Sequence, residues 1–170
     1  MPTTDKIVIL DFGSQTVQLI ARRIREIGLY SEILPYHTSQ ATLASDPSIK
    51  GIILSGGPDS VLTDDRLDMD ELILDLGIPI CGICYGMQLI HKKMGGTIAR
   101  AVHSEYGKTE CTIHTASKIT ANIPSSHTVW MSHGDQVITP APGFQVLGVT
   151  PEAIALSGHL EKNIYTMQFH

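Results

Sequence analysis

No apolar run in this chain approaches the roughly 20 residues that a bilayer-spanning helix needs. The opening Met1-Pro2-Thr3-Thr4-Asp5-Lys6 lacks the basic head and apolar stretch of a signal peptide. Basic residues are also scarce. Twelve Lys and Arg against seventeen Asp and Glu give a net charge of -5, and only Arg22-Arg23-Ile24-Arg25 clusters. That pattern offers no basic stripe, so nucleic acid and anionic membrane surfaces are excluded as partners. Three cysteines, Cys81, Cys84 and Cys111, are too few and too oddly numbered for a secreted disulfide framework. They point to a reducing compartment, and the expected location is the cytoplasm. Nucleotide-phosphate loops are missing as well: there is no Gly-x-Gly-x-x-Gly and no Walker sequence, and Asp11-Phe12-Gly13 stands without the other kinase motifs.

What is present fits a globular domain. A chain of 170 residues with 42% apolar and 17% charged residues can bury one substantial core. Apolar runs at Ile7 to Leu10, Ser31 to Tyr36, Gly51 to Ser55 and Pro79 to Ile83 read as strands. Between them, Val17, Ile20, Ala21, Ile24 and Ile27 share a helical face that Gly28 terminates, and Met69, Leu72, Ile73 and Leu76 predict a helix over Asp68 to Leu76. Uninterrupted apolar strands alternating with helices predict a parallel sheet covered on both faces. After Met94-Gly95-Gly96 the runs shorten, at Thr97 to Ala99, Glu110 to Ile113, Val129 to Met131, Phe144 to Val149, Ala153 to Leu156 and Asn163 to Phe169, the last two forming a hairpin. The expected fold is α/β, an open mixed and largely parallel sheet with helices on both faces, finished by antiparallel strands. Functional loops then fall at the carboxyl ends of the parallel strands, where Phe12-Gly13-Ser14, Gly56-Gly57 and Cys84 all lie.

The richest segment is Gly82-Ile83-Cys84-Tyr85-Gly86, which joins a strand to a helical pattern. Small residues on either side of a nucleophile permit a sharp strand-to-helix turn that presents its side chain. A helix starting behind Cys84 is expected to lower the thiol pKa. Acyl chemistry also needs N–H donors for an oxyanion, and the backbone of Tyr85 and of Gly57 can supply them. Eight histidines compete for the role of base: His37, His91, His103, His114, His127, His133, His159 and His170. His170 follows an apolar strand, and His133 has Asp135 two residues on; spacing leaves the two level. Cys81-Gly82-Ile83-Cys84 also matches a redox dithiol, although Cys81 falls inside the predicted strand. A zinc site from Cys81, Cys84 and His91 lacks a fourth ligand.

Four segments together resemble a known family: Ile9 to Gln15, Gly51 to Val61, Gly82 to Leu89 and Val129 to Asp135. From Ile7 to His170 the chain resembles the class I, triad-type glutamine amidotransferases, whose fold is flavodoxin-like. The resemblance implies that Cys84 attacks the side-chain amide of L-glutamine, that Gly57 and Tyr85 form the oxyanion hole, and that His170 protonates the departing ammonia. It also implies that Gln88 and Ser132-His133-Gly134-Asp135 grip the α-amino and α-carboxylate ends of the substrate, which favours His170 over His133. Asp11-Phe12-Gly13-Ser14-Gln15 and Trp130 to Asp135 bring it nearest the branch whose ammonia aminates XMP to GMP. There the partner is an ATP-pyrophosphatase synthetase domain or subunit that uses ATP and magnesium, and this domain itself carries no cofactor or metal. The family pattern continues Pro-Glu after the histidine, so residues 1–170 are expected to be a single glutaminase domain cut short at its C-terminal end. Two other readings remain: a cysteine hydrolase acting on another small substrate, and a catalytically weak regulatory or binding subunit.

Overall fold

A computed structural model of the chain describes residues 4–63 and 67–170. Its elements run β1 (Lys6–Asp11), α1 (Val17–Glu26), β2 (Tyr30–Pro35), α2 (Gln40–Ala44), β3 (Ile49–Leu54), a 3-10 turn (Glu71–Asp75), β4 (Ile80–Ile83) and α3 (Tyr85–Lys93). They continue with β5 (Thr97–Ile113), β6 (Ser126–Thr139), β7 (Gln145–Val149), β8 (Ile154–His159) and β9 (Ile164–Met167). Nine strands form one sheet in the order β2-β1-β3-β4-β9-β8-β7-β5-β6. β2, β1, β3, β4 and β9 are parallel, and the rest pair antiparallel. This is the mixed α/β sheet that the sequence pattern predicts, including the closing hairpin of β8 and β9.

Strand alternation divides the core in two. Val8, Leu10, Ile52, Leu54 and Ile80 point to one face, where they pack with Leu43 of α2, Ile73 of the 3-10 turn, and Leu89 and Ile90 of α3. Ile9 points to the other, against Val17, Ala21 and Ile24 of α1. The handedness of crossovers explains the split. The chain leaves β1 in one direction to reach β2 and returns in the other to reach β3, so successive helices land on opposite faces. Between β1 and β3 the order therefore reverses, and a crevice opens at the carboxyl ends of those strands.

Two expectations are corrected, and one element is added. The helix over Asp68 to Leu76 is a 3-10 turn at Glu71–Asp75. The Asp70 side chain accepts from Leu72 N–H at its start, and Gly77, at φ +78, and Pro79 follow its end, leaving no room for a longer element. Leu72 is consequently exposed, while Ile73 and Leu74 are buried. The runs Thr97 to Ala99 and Glu110 to Ile113 belong to a single strand of 17 residues, with a register shift between Arg100 and Glu105. Its polar middle carries no strand signal of its own, and the 14-residue partner β6 supplies the hydrogen bonds that make it extended. α2 has no counterpart in the expectations; Ser39 caps it, accepting from Thr42 N–H.

Candidate active site

Cys84 sits where β4 becomes α3, at φ 53 and ψ -106. That backbone is costly for a residue with a Cβ, and such strain gathers where a side chain must be aimed. The surroundings hold it in place. Cys84 N–H donates to Met167 O at 2.7 Å, and Gln88 N–H donates back to Cys84 O at 3.1 Å. The flanking glycines are required by close approach: a Cβ on Gly82 would lie 2.6 Å from Ile90 Cδ1, and one on Gly86 2.5 Å from Leu54 O. α3 can press onto β3 and β4 only because both are glycine.

The thiol is 8% exposed and opens into two cavities of about 410 and 500 Å³. Burial raises its pKa above the usual thiol value, opposed by the Tyr85 backbone N–H and the Gln168 side-chain amide. The expectation of a lowered pKa is thus reversed: desolvation of the anion outweighs the helix terminus and the two donors. Its S–H faces Ser132 O at 3.6 Å, and Gln168 Nε2 donates to Sγ at 3.3 Å.

His170 stands on the other side of Gly56. A Cβ on Gly56 would be 3.4 Å from Cys84 Cβ and 3.4 Å from His170 Nε2, so these two atoms are at most about 7 Å apart. The position is fixed through the backbone, because His170 N–H donates to Trp130 O at 3.0 Å. Burial lowers the imidazole pKa, which keeps the ring neutral and able to accept a proton near pH 7. Gly57 lies against the first loop: a Cβ there would sit 2.4 Å from Phe12 O. Ser55, buried, ties the two loops together, accepting from Phe12 N–H at 2.9 Å and donating to Gly56 O at 2.8 Å.

The first cavity is lined by Gly57, Cys84, Tyr85 and Gln88 on one side and Ser132, His133, Gly134 and Asp135 on the other. Pro58, Asp59 and Ser60 also line it, together with Arg100 and Tyr106, which sequence reading did not single out. The Asp135 carboxylate accepts from the Ser60 hydroxyl through Oδ2, and Arg100 Nε stands 3.9 Å from Oδ1. This places a buried carboxylate in the wall of the same pocket that the thiol lines, chemistry suited to a primary ammonium group. His133 has a different job. Its Nδ1 donates to Asp135 O at 3.0 Å and its Nε2 meets Glu105 Oε2 at 3.0 Å, with its side chain 1% exposed. Both ring nitrogens are engaged, so His133 shapes β6 and leaves the base position to His170.

The competing chemistries lose their geometry. Cys81 points to the opposite face of β4 from Gly82, and burial pushes its thiol up to about 11, a poor partner for dithiol exchange. His91, fully buried, accepts Ala141 N–H on Nδ1 at 3.0 Å and meets Ser157 Oγ with Nε2 at 3.0 Å, which removes it as a ligand. Among the described residues no group of three or more His, Cys, Asp and Glu side chains is arranged to hold a metal, and no helix is long and apolar enough to cross a membrane.

A thiol on a strained strand-to-helix elbow, backbone donors beside it, a neutral imidazole within reach and a pocket with a buried carboxylate define a cysteine-nucleophile, acyl-transfer class of α/β protein. The family model described as glutamine amidotransferase class-I matches residues 8–170. This chain belongs to that family. It is 52% identical over 168 residues to the GMP synthase [glutamine-hydrolyzing] of Bacillus cereus and to that of Bacillus anthracis, covering 98% of this chain. The chain spans about a third of those curated relatives, 32% of their length. The solved structure of a candidate GMP synthase component from Thermoplasma acidophilum superposes with a TM-score of 0.86 at 27% identity, over 100% of this chain and 85% of that one. A glutamine amidotransferase from Thermotoga maritima shares the fold, with a TM-score of 0.77 at 18% identity over 99% of this chain and 76% of that one.

Proposed function

We propose that this chain hydrolyses L-glutamine to glutamate and ammonia through a thioester on Cys84, and passes the ammonia to a synthetase that aminates XMP to GMP. The observation that carries the reading is the Cys84 thiol and the His170 ring, brought to either side of Gly56, with the thiol also lining a pocket that contains the Asp135 carboxylate. The Asp135 carboxylate and the Gln88 side chain receive the α-amino end, the Ser132-His133-Gly134 backbone and Arg100 receive the α-carboxylate, and the amide carbon is left at the sulfur.

His170 takes the proton from Cys84, and the thiolate attacks the amide carbon. The carbonyl oxygen becomes an oxyanion held by the N–H groups of Gly57 and Tyr85. When the C–N bond breaks, the imidazolium returns its proton to nitrogen and ammonia leaves. Water, deprotonated by the same imidazole, then attacks the γ-glutamyl thioester, and the C–S bond breaks to give glutamate and the resting thiol. No step needs a metal or a cofactor in this domain. ATP and magnesium act in the synthetase, which adenylylates XMP, and the two parts work in the cytoplasm.

Two features support the acceptor: 52% identity to the GMP synthases and the Trp130 to Asp135 segment in β6. Labelling with a diazo-ketone analogue of glutamine, followed by peptide mapping, tests the nucleophile. Modification of Cys84 alone is expected, sparing Cys81 and Cys111, and label elsewhere would overturn the assignment. Adding the synthetase part with XMP and ATP should raise glutamine turnover. Equal turnover with an unrelated synthetase would remove the proposed acceptor.

A further inference from the structure

Gln168 is 0% exposed, and nothing in its sequence setting between Met167 and Phe169 marks it as more than the end of a strand. Its hydrogen bonds are unusual in where they lead. The side-chain oxygen accepts from Gln88 Nε2 at 3.0 Å, and the side-chain nitrogen donates to Cys84 Sγ at 3.3 Å. Gln88 Nε2 spends its other hydrogen on Asp135 O at 2.9 Å.

The direction of this chain is forced. A backbone carbonyl only accepts, so the Gln88 group facing Asp135 O must be its NH2. The Gln168 atom facing that NH2 must then be oxygen, which turns the Gln168 NH2 toward the sulfur. One carbonyl on β6 thereby fixes the orientation of two buried amides and aims an N–H at the nucleophile.

We propose that Gln168 is the side-chain donor that stabilises the Cys84 thiolate, oriented through Gln88 by the carbonyl of Asp135. The inference rests on Cys84 being the nucleophile of the proposed glutaminase. Its chemical logic follows from the two halves of the reaction. The sulfur is an anion before attack, neutral in the thioester, and an anion again as it leaves. A donor favours both charged stages. The desolvated site otherwise raises the thiol pKa, so the donor offsets burial. Because Gln88 and Asp135 also line the pocket, the same chain places the substrate's amino end and the nucleophile on one rigid connection.

Alkylation of Cys84 by iodoacetamide against pH reads the thiolate without glutamine. For Gln168→Leu, and for Gln168→Met as a second variant of similar volume, the midpoint should move up by about one to two pH units. A one-unit rise cuts the thiolate tenfold at neutral pH but makes it about threefold more nucleophilic. The variant should therefore react about threefold more slowly than wild type at pH 7 and faster at the alkaline plateau, so the two curves cross. A packing defect would scale the curve without moving its midpoint. In the unaltered protein, the Gln168 side-chain amide protons, followed by NMR, should shift with the same midpoint as alkylation. That observation decides the matter if both variants fail to fold. An unmoved midpoint, or amide protons indifferent to the Cys84 titration, would overturn the role of Gln168 and leave the glutaminase reading intact. A wild-type protein without glutamine turnover would instead remove the reading underneath.

Discussion

His170 hangs from Trp130: its backbone N–H donates to the Trp130 carbonyl at 3.0 Å, so the end of the last parallel strand is tied to the outermost strand of the sheet. The sheet must curl back on itself for these two to meet. The imidazole reaches the thiol because β9 lies directly beside β4, with Met167 opposite Ile83, and the Trp130 contact holds the end of that strand in place.

Gly56 keeps the space between them open. Gly56→Ala would set a methyl group 2.9 Å from His170 Cε1 and 3.4 Å from Cys84 Cβ. The ring must move by about an ångström, and a displacement of that size at a reacting group costs roughly 10²-fold in kcat. Steady-state kinetics should show this with only a small change in Tm, because the ring can swing outward. An unchanged kcat would mean that His170 does not act from this position.

Removing the nucleophile should have the largest effect. Cys84→Ala is expected to lower glutamine turnover by about 10⁴-fold or more, while leaving glutamine binding measurable by calorimetry. Residual turnover close to wild type would place the chemistry elsewhere.

The carboxylate of Asp135 should act on binding. Asp135→Asn removes the charge facing the substrate's ammonium group and should raise KM for glutamine by roughly 10- to 100-fold, with a smaller effect on kcat. If kcat falls as far as KM rises, the residue contributes to the transition state and the division of roles is wrong.

Turnover should rise with pH. Burial raises the Cys84 pKa and lowers that of His170, so the resting pair at pH 7 is neutral thiol and neutral imidazole. The reactive thiolate grows as pH increases through the alkaline range, and kcat/KM for glutamine should climb with it. A profile that falls from pH 7 to pH 9 would contradict this protonation scheme.

His91 should set an acid limit on stability. Burial lowers its pKa to about 4, against an ordinary value near 6.5. Between those two values the unfolded chain binds a proton that the folded chain refuses, so stability increases with pH there and is lost on acidification from about 6.5 toward 4. The loss from this group is at most about 3 kcal/mol. Urea unfolding at pH 7 and pH 4.5 should show it, and His91→Gln should flatten the dependence.

The parallel half was legible in the sequence because its signals are local. Ile7 to Leu10, Gly51 to Ser55 and Gly82 to Gly86 each announce a strand, a loop or a bend within a few residues, and the elbow needs small neighbours at fixed offsets. What escaped depends on contacts across the sheet. Arg100, Tyr106 and Gln168 have no motif of their own, since each is defined by a partner far along the chain. The length of β5 and β6 was hidden for the same reason, because polar residues become strand only when a mate is present. The thiol pKa went the other way because helix-end electrostatics can be read from order, whereas desolvation requires knowing what packs around the sulfur.

The thiol stands at the end of β4, and the pocket beside it is shared between the parallel half, through Gly57, Tyr85 and Gln88, and the β5 and β6 ribbon, through Arg100, Tyr106 and Ser132 to Asp135. Two long strands that pair chiefly with each other carry one wall of the pocket, so a substitution at their seam would reshape that wall while leaving the bend at Cys84 untouched.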